Sequence, residues 1–554
     1  MNAQAGTRRG WAALEPLRQR TYRRIWSASV LSNFGQLILG VGAAWEMTRL
    51  TTSPSMVALV QSALMLPLML VSVPAGAIAD MCDRRKIAIA GLSFASLSSA
   101  TLTTLAFTGH TTPWVLLMFC SLIGAGVALY NPAWSASIGE QVTAEQLPAA
   151  VALGSISYNV ARSFGPAVGG IIVLALGAPG AFVTNALAYL PLLAAFVLWR
   201  RKHVAPRLPP ERLDRAILSG ARYARHSFPV RAAMARAFAF GLAGAASSAL
   251  VPLVARDLLK GNASTYGLLL ACSGVGAVGG ALLMSRARER LTAEQAFRLC
   301  AAATGSMLLI VGASRSLALT AAAMAVAGAA NMLSIALLNV SVQLSVPRWV
   351  TARAVAGFQA SITGGIAVGA WLWGRAAADY GIERAYIASG VALLLTPLLG
   401  LFMPMRRMSP ADVEMIELDT EPEVALAITS RSGPIVIEID YRVDPDRARE
   451  FYAVMLKLER ARLRNGAFQW SLARDLGDPE LWTERFHLST WLDYRRLRSR
   501  FTHADRALQA AADEFNTAPS GTRLRRCLER PFGSVRWRED TPESSGDATS
   551  IYSP

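Results

Sequence analysis

The chain has 554 residues, 53% hydrophobic and 17% charged, with a formal net charge of +17 and a mean hydropathy of +0.34. Soluble domains carry about 25% charged residues, so an ordinary soluble enzyme is excluded. Disorder is excluded over most of the length, because the apolar runs need a core or lipid. The five cysteines (Cys82, Cys120, Cys272, Cys300, Cys527) contain no CxxC pair, so neither a zinc site nor a disulfide framework is expected. The basic residues fall in short clusters between apolar runs, which orients a chain in a membrane rather than binding nucleic acid. No metal, cofactor or nucleic-acid partner is expected.

A spanning helix needs about 20 mostly apolar residues. In chain order, runs of that kind lie at 26–48, 57–79, 87–108, 113–138, 149–175 and 180–199, and then at 237–256, 264–285, 297–314, 317–345, 350–374 and 385–405. The fold class expected is an all-α polytopic membrane protein of twelve spans in two six-helix halves. The run after Arg24 is read as the first span, not a signal peptide, since eleven more follow and no small-residue cleavage site is evident. The uncharged stretch Phe164–Trp199 is too long for one helix, and Gly177-Ala178-Pro179-Gly180 supplies a turn to divide it. Divisions follow: an N-terminal arm at 1–24, a first half at 25–199, a basic central loop at 200–236, a second half at 237–405 and a linker at 406–433. Arginines crowd the arm, the 2–3 loop (Arg84, Arg85, with Lys86), the central loop and the 8–9 loop, while the opposite loops 109–113 and 177–180 have no Lys or Arg. The positive-inside rule then puts both termini in the cytoplasm.

A shift of 204 residues sets Gly76 on Gly280, Ala150-Val151-Ala152 on Ala354-Val355-Ala356, Gly165 on Gly369 and Gly177 on Gly381. One shift serving separated regions points to an internal duplication, and equivalent halves suggest a midplane site between them with alternating access.

The sharpest motif is Gly76-Ala-Ile-Ala-Asp80-Met-Cys-Asp83-Arg84-Arg85-Lys86 at the end of the second span. A carboxylate at a helix end can accept from exposed N–H groups, and its arginines suit anionic lipid headgroups. Arg162-Ser-Phe-Gly165-Pro166-Ala-Val-Gly169-Gly170 in the fifth span has the small residues that allow close helix approach. With Tyr130-Asn131-Pro132-Ala133-Trp134, these segments resemble the major facilitator superfamily, in the drug- and siderophore-exporter branch that includes enterobactin exporters and transmembrane secretion effectors. Two positions depart from the family pattern: Asp83 replaces its second loop glycine, and Ala161 replaces the upstream glycine of the fifth-span signature. The resemblance covers roughly residues 15–405. It implies that Asp80, Asp83, Arg84, Gly76, Gly165, Pro166, Gly169 and Gly170 serve gating, and that the chain is a secondary transporter exporting a small amphipathic molecule such as a siderophore, antibiotic or drug-like metabolite, with protons as coupling ion, in the bacterial inner membrane.

Arg162 lies mid-span, where an arginine needs a cavity or a partner, and is the expected anchor for substrate charge. Glu46, near the outer end of the first span, is the coupling candidate. Asn33, Gln36, Gln61, Asn159, Asn339 and Gln343 are polar residues inside spans and are expected to line the cavity. The four lysines (Lys86, Lys202, Lys260, Lys457) follow no glycine, so a Walker A loop is absent and an ion gradient is the expected energy source.

Residues 434–530 change character. A strand at 434–443, a helix opened by Asp444-Pro445 and running to Arg464, strands at 467–475 and 482–491, helices at 492–500 and 503–516, and a strand at 522–528 give the order β-α-β-β-α-β of a ferredoxin-like domain. It resembles the dimeric α/β-barrel domains related to antibiotic-biosynthesis monooxygenases, which implies a homodimer contact. His487, His503, Trp470 and Trp491 show no catalytic or metal spacing, so a regulatory or dimerising module is expected. Residues 531–554 read as a disordered tail. Rival readings are an importer of the same fold, a membrane-tethered enzyme or sensor acting through residues 434–530, and a lipid flippase-like carrier.

Overall fold

The structure is a computed structural model that describes residues 15–81, 83–143, 146–199, 213–347, 349–404, 410–416, 424–426, 428–519 and 521–529. The expected disordered tail therefore lies outside the described residues. The first helices are α1 (Arg20–Leu50), α2 (Pro54–Met81), α3 (Arg84–Phe107), α4 (Pro113–Ser137) and α5 (Leu147–Leu198). A short α6 (Leu213–His226) and α7 (Phe228–Gly244) follow, then α8 (Ala263–Arg290), α9 (Ala293–Ala313), α10 (Leu317–Leu344), α11 (Thr351–Tyr380) and α12 (Ile382–Leu395). Among the described residues, ten helices are long and apolar enough to cross a membrane. One of them is the 52-residue α5, which breaks at Gly177 (φ 71, ψ −177) into limbs at 147–176 and 178–198. That count omits the interrupted stretch after α7, where Ala246–Ala249, Val251–Leu253 and a π-helical turn Val254–Leu258 follow in succession. Pro252 has no N–H to continue the ladder there.

Local sequence sets the helix ends. Thr112 caps α4 by accepting from Val115 N–H, with Pro113 in the first turn. Asn262 with Thr265 and Thr292 with Gln295 form reciprocal capping boxes on α8 and α9. Gly177 and Gly381, which the 204-residue shift superimposes, both have a left-handed backbone, φ 71 and φ 93, a conformation glycine adopts at no Cβ cost. Gly165 meets Leu37 of α1, and Gly369, its equivalent, meets Leu242 of α7. Two pairs of helices thus repeat one packing, which supports the duplication.

The chain separates into two compact units. The first comprises Met1–Ile217, Ala232–Ser341 and Val355–Met405, and holds the long helices. Its outward side chains are apolar, with Leu97, Phe107, Ile171 and Leu282 each more than 60% exposed, as lipid-facing helix surfaces require. The second comprises Leu218–Arg231, Val342–Ala354 and Arg406–Pro554. Its strands are β1 (Ile435–Arg442), β2 (Phe468–Arg474), β3 (Leu481–Leu488) and β4 (Arg523–Leu528), in the antiparallel order β2-β3-β1-β4. Against it lie α13 (Ala448–Asn465), α14 (Trp491–Ser499) and α15 (His503–Asp513). Ile435, Ile437, Ile439 and Tyr441 alternate along β1 into a core closed by Phe451, Met455 and Leu458 of α13, the period-2 and period-3.6 patterns meeting face to face. These elements fall within a few residues of those expected from the sequence.

The central loop is where structure and expectation differ. It contains α6, and α7 starts at Phe228, nine residues before the expected span, so Arg231 and Arg236 are helical. Arg236 is 1% exposed: its Nη1 donates to Glu294 Oε2 at 2.7 Å and its Nη2 to the Met403 carbonyl at 2.7 Å. A carboxylate on α9 therefore lets an arginine enter the packed end of the bundle.

Candidate functional site

The first limb of α5 sorts its residues into three rows of spacing four. Ser157, Ala161, Gly165 and Gly169 form a buried row against α1. Asn33 Nδ2 donates to Ser157 Oγ at 3.2 Å, Gly165 faces Leu37, and Gly169 faces Ile38 and Val41. Ile156, Val160, Phe164 and Val168 form an exposed, wholly apolar row suited to lipid. The third row is Gly154, Tyr158, Arg162 and Pro166. Gly154 has open space beside it, Tyr158 is 44% exposed and Arg162 is half-buried. Arg162 lies about 22 Å along the limb at 1.5 Å per residue, near its middle. Among the described residues no carboxylate lies within ion-pair distance of it. A guanidinium at that depth is costly unless water, an anion or a partner faces it.

The two halves meet at one end of the bundle, the end remote from Arg20. Gly170 of α5 packs main chain to main chain on Gly267 of α8, with no room for a Cβ at Gly170. Ser62 Oγ donates to the Ala367 carbonyl at 2.7 Å, and Arg256 Nη1 to the Thr48 carbonyl at 2.8 Å. Trp45 and Tyr266 stack with centroids 5.8 Å apart. Gly364 approaches Met69, and Gly374 approaches Ala58. Glu46 stands beside this closed end, 12% exposed, paired with Arg49 of its own helix at 3.3 Å.

At the other end, the contacts of Asp83 and Arg84 among the described residues lie within the first half. Asp83 caps α3, its Oδ1 accepting from Arg85 N–H at 2.9 Å. Arg84 Nη1 donates to the Ala136 carbonyl at 2.7 Å and to Glu140 Oε1 at 3.1 Å, while Arg85 donates to the Phe196 and Val197 carbonyls. Guanidinium groups thus satisfy carbonyls at the C-terminal ends of α4 and α5, where the helix dipole favours cations. Gly76, Asp80 and Asn159 lie within α2 and α5, and their side chains are not among those described. Gln36, Gln61 and Asn339 are half-buried and Gln343 is exposed, and the structure brings none of the four against Arg162. Sequence reasoning passed over Tyr158, whose signal was its place one turn before Arg162.

The second unit buries one charge network beside its apolar core. Arg462 Nε donates to Glu484 Oε1 at 3.1 Å, Trp470 Nε1 to the same oxygen at 2.9 Å, and Tyr441 O–H to Glu484 Oε2 at 3.3 Å. Burial and the Glu484 charge hold the Tyr441 phenol above its ordinary range. His487 Nε2 lies 3.4 Å from Glu529 on the other face of the sheet, and His503 and Trp491 begin helices capped by Thr502 and Thr490. No described cluster of His, Cys, Asp and Glu could hold a metal ion.

Long apolar helices in two like halves, joined at one end and holding an arginine at mid-depth, define a polytopic transporter of the major facilitator type. The chain belongs to the transmembrane secretion effector family, whose family model matches residues 11–532; it is a multi-pass membrane transporter and not an enzyme. It is 28% identical over 165 residues to the staphyloferrin A transporter of Staphylococcus aureus (strain NCTC 8325 / PS 47), covering 30% of this chain and 42% of that one. It is 28% identical over 151 residues to the uncharacterized MFS-type transporter YfiS of Bacillus subtilis (strain 168), covering 27% and 34%. The matches thus span less than half of each of these curated relatives. Among solved structures, the inward-facing, unoccupied bacterial homolog of the human lysosomal transporter Spinster matches with TM-score 0.54 at 15% identity, over 70% of this chain and 95% of that one. The POT family transporter PepTSo matches with TM-score 0.55 at 13% identity, over 69% and 97%. At these identities the likeness shows the fold.

Proposed function

We propose that the chain exports a small amphipathic anion by proton-coupled alternating access, with Arg162 as the substrate anchor. The observation that carries this is the Gly154–Tyr158–Arg162 row of α5, where a guanidinium at mid-depth, with no carboxylate partner among the described residues, follows an exposed phenol by one turn. A carboxylate, catecholate or hydroxamate group suits the arginine, and an apolar or aromatic body suits Tyr158. The name of the Staphylococcus aureus relative, a siderophore transporter, is in keeping with such cargo. Breaking α5 at Gly177 and counting 228–258 as a span gives twelve. The basic loops orient both termini to the cytoplasm of a bacterial inner membrane, where anionic headgroups meet the arginines. In that orientation the joined end is periplasmic and the state is inward-open. Glu46, nearly buried at that end, is the proton-coupling carboxylate of this reading, and Asp80 with Arg84 latches the cytoplasmic end in the opposite state. The strand order β2-β3-β1-β4 supports a ferredoxin-like second unit able to pair with a second copy.

The test is collapse of an imposed ΔpH in everted vesicles, with a panel of carboxylate, catecholate and hydroxamate siderophores and amphipathic antibiotics added. Substrate-dependent proton release in the wild type, lost in Arg162→Ala and partly kept in Arg162→Lys at equal expression, is expected. Proton release unchanged in Arg162→Ala overturns the anchor, and silence across the panel overturns coupled export of this cargo class.

A further inference from the structure

The soluble domain is not an independent appendage. Its compact unit includes residues 218–231, which end α6 and begin α7, and residues 342–354, which lead from α10 into α11. Arg222 Nη1 donates to the Gly466 carbonyl at 2.8 Å, just past the C-terminus of α13, where unsatisfied carbonyls attract cations. Tyr223, 3% exposed, lies under the Arg464 guanidinium, 5.7 Å from its ring centre. It also meets the Trp349 ring edge to face at 5.6 Å. Arg500, just after α14, covers the Trp349 ring at 3.9 Å. Arg353 of α11 closes the circuit by donating to Ser219 of α6 at 2.6 Å. Burial pushes the Tyr223 phenol up to about 12.

The run Arg464–Tyr223–Trp349–Arg500 is an edge-to-face ring pair flanked by two cation–π contacts, with both rings from segments that join the spans and both cations from the C-terminal domain. Backbone hydrogen bonds carry this contact into both spans: Ser227 N–H bonds Tyr223, Arg231 N–H bonds Ser227, and Ala354 N–H bonds Val350. We infer that the C-terminal domain is an intramolecular clasp. It binds residues 218–231 and 342–354, makes the first turns of α7 and α11 move as a pair, and so transmits its own state to the transport cycle. The domain's docking surface is Arg464, Gly466 and Arg500, and its ligand is the Tyr223–Trp349 pair of this same chain.

The experiment uses the full-length protein in lipid nanodiscs. Hydrogen exchange is followed in wild type, Tyr223→Ala and Trp349→Ala. Either single variant is expected to raise exchange about tenfold in both loop segments while β1 stays protected. Spin labels at Lys86→Cys and Glu289→Cys, in an otherwise cysteine-free chain, report the separation of the halves. Each clasp variant is expected to add a second distance population. Exchange confined to the mutated segment, or an unchanged distance distribution, overturns the inference. If Tyr223→Ala also deprotects β1, Arg222→Ala, which removes only the bond to Gly466, supplies the same two readings.

Discussion

Arg162 and Arg236 are both arginines within helices of an apolar bundle, and their surroundings differ. Arg236 is sealed, with Glu294, the Met403 carbonyl and the Phe297 ring around it. Breaking such a pair from one side strands a buried charge, at about 3 kcal/mol. Glu294→Ala, which leaves the 1% exposed Arg236 guanidinium without its carboxylate, should therefore lower the apparent melting temperature of detergent-purified protein, and the double change Arg236→Met with Glu294→Leu should restore most of it. A double variant no better than the single would show that the pair carries no compensating charge. Arg162 has no such seal, so Arg162→Ala should leave melting near the wild-type value while abolishing transport. Glu46→Gln should retain substrate binding, read by tryptophan quenching, and lose proton release. Release at the wild-type rate would assign coupling elsewhere. Arg162 was legible from sequence because charge in an apolar run is conspicuous. Arg236 was not, because it stood at the edge of a basic loop and its partner Glu294 is 58 residues away.

At the scale of elements, α5 shows how one helix serves three surroundings through rows four residues apart. Its glycines were visible in the sequence, but their partners were not, since spacing names a face without saying what covers it. Gly170 meets Gly267 of the other half, so Gly170→Val should wedge α5 from α8. Spin labels across the joined end should then show a larger separation, and an unaltered distance would mean the helices give way cheaply. The α6 segment was legible only as a basic loop, because its partners lie far along the chain. Burial, Arg225 and Arg222 hold the His226 pKa below its ordinary 6.5, with Glu459 opposing and Arg231 adding to the shift. A depressed histidine binds protons more readily when released, so docking is at full strength above about pH 6.5 and weakens as pH falls below it. Protection factors of residues 218–231 should drop between about pH 7 and about pH 5.5. His226→Gln should flatten that profile, and a persistent slope would place the titration on another group.

For the whole molecule, the duplication was readable from a single shift, and Gly177 with Gly381 shows why: a turn that needs a left-handed residue keeps its glycine in both copies. Which end of the bundle is joined was not readable, because the joining groups are largely main chain. Ser62 reaches the carbonyl of Ala367, Arg256 the carbonyl of Thr48, and Gly170 the main chain of Gly267. That detail bears on how the protein can drift in evolution. A carbonyl acceptor survives replacement of its own side chain, whereas a donor or a bare Cα does not. The contact itself asks nothing of the Thr48 and Ala367 side chains, which answer only to their own buried surroundings, whereas Arg256, Ser62, Gly170 and Gly267 are held by it. A saturation library selected for transport would then show tolerance on one side of each contact and intolerance on the other, an asymmetry that pairwise covariation between the halves would fail to detect.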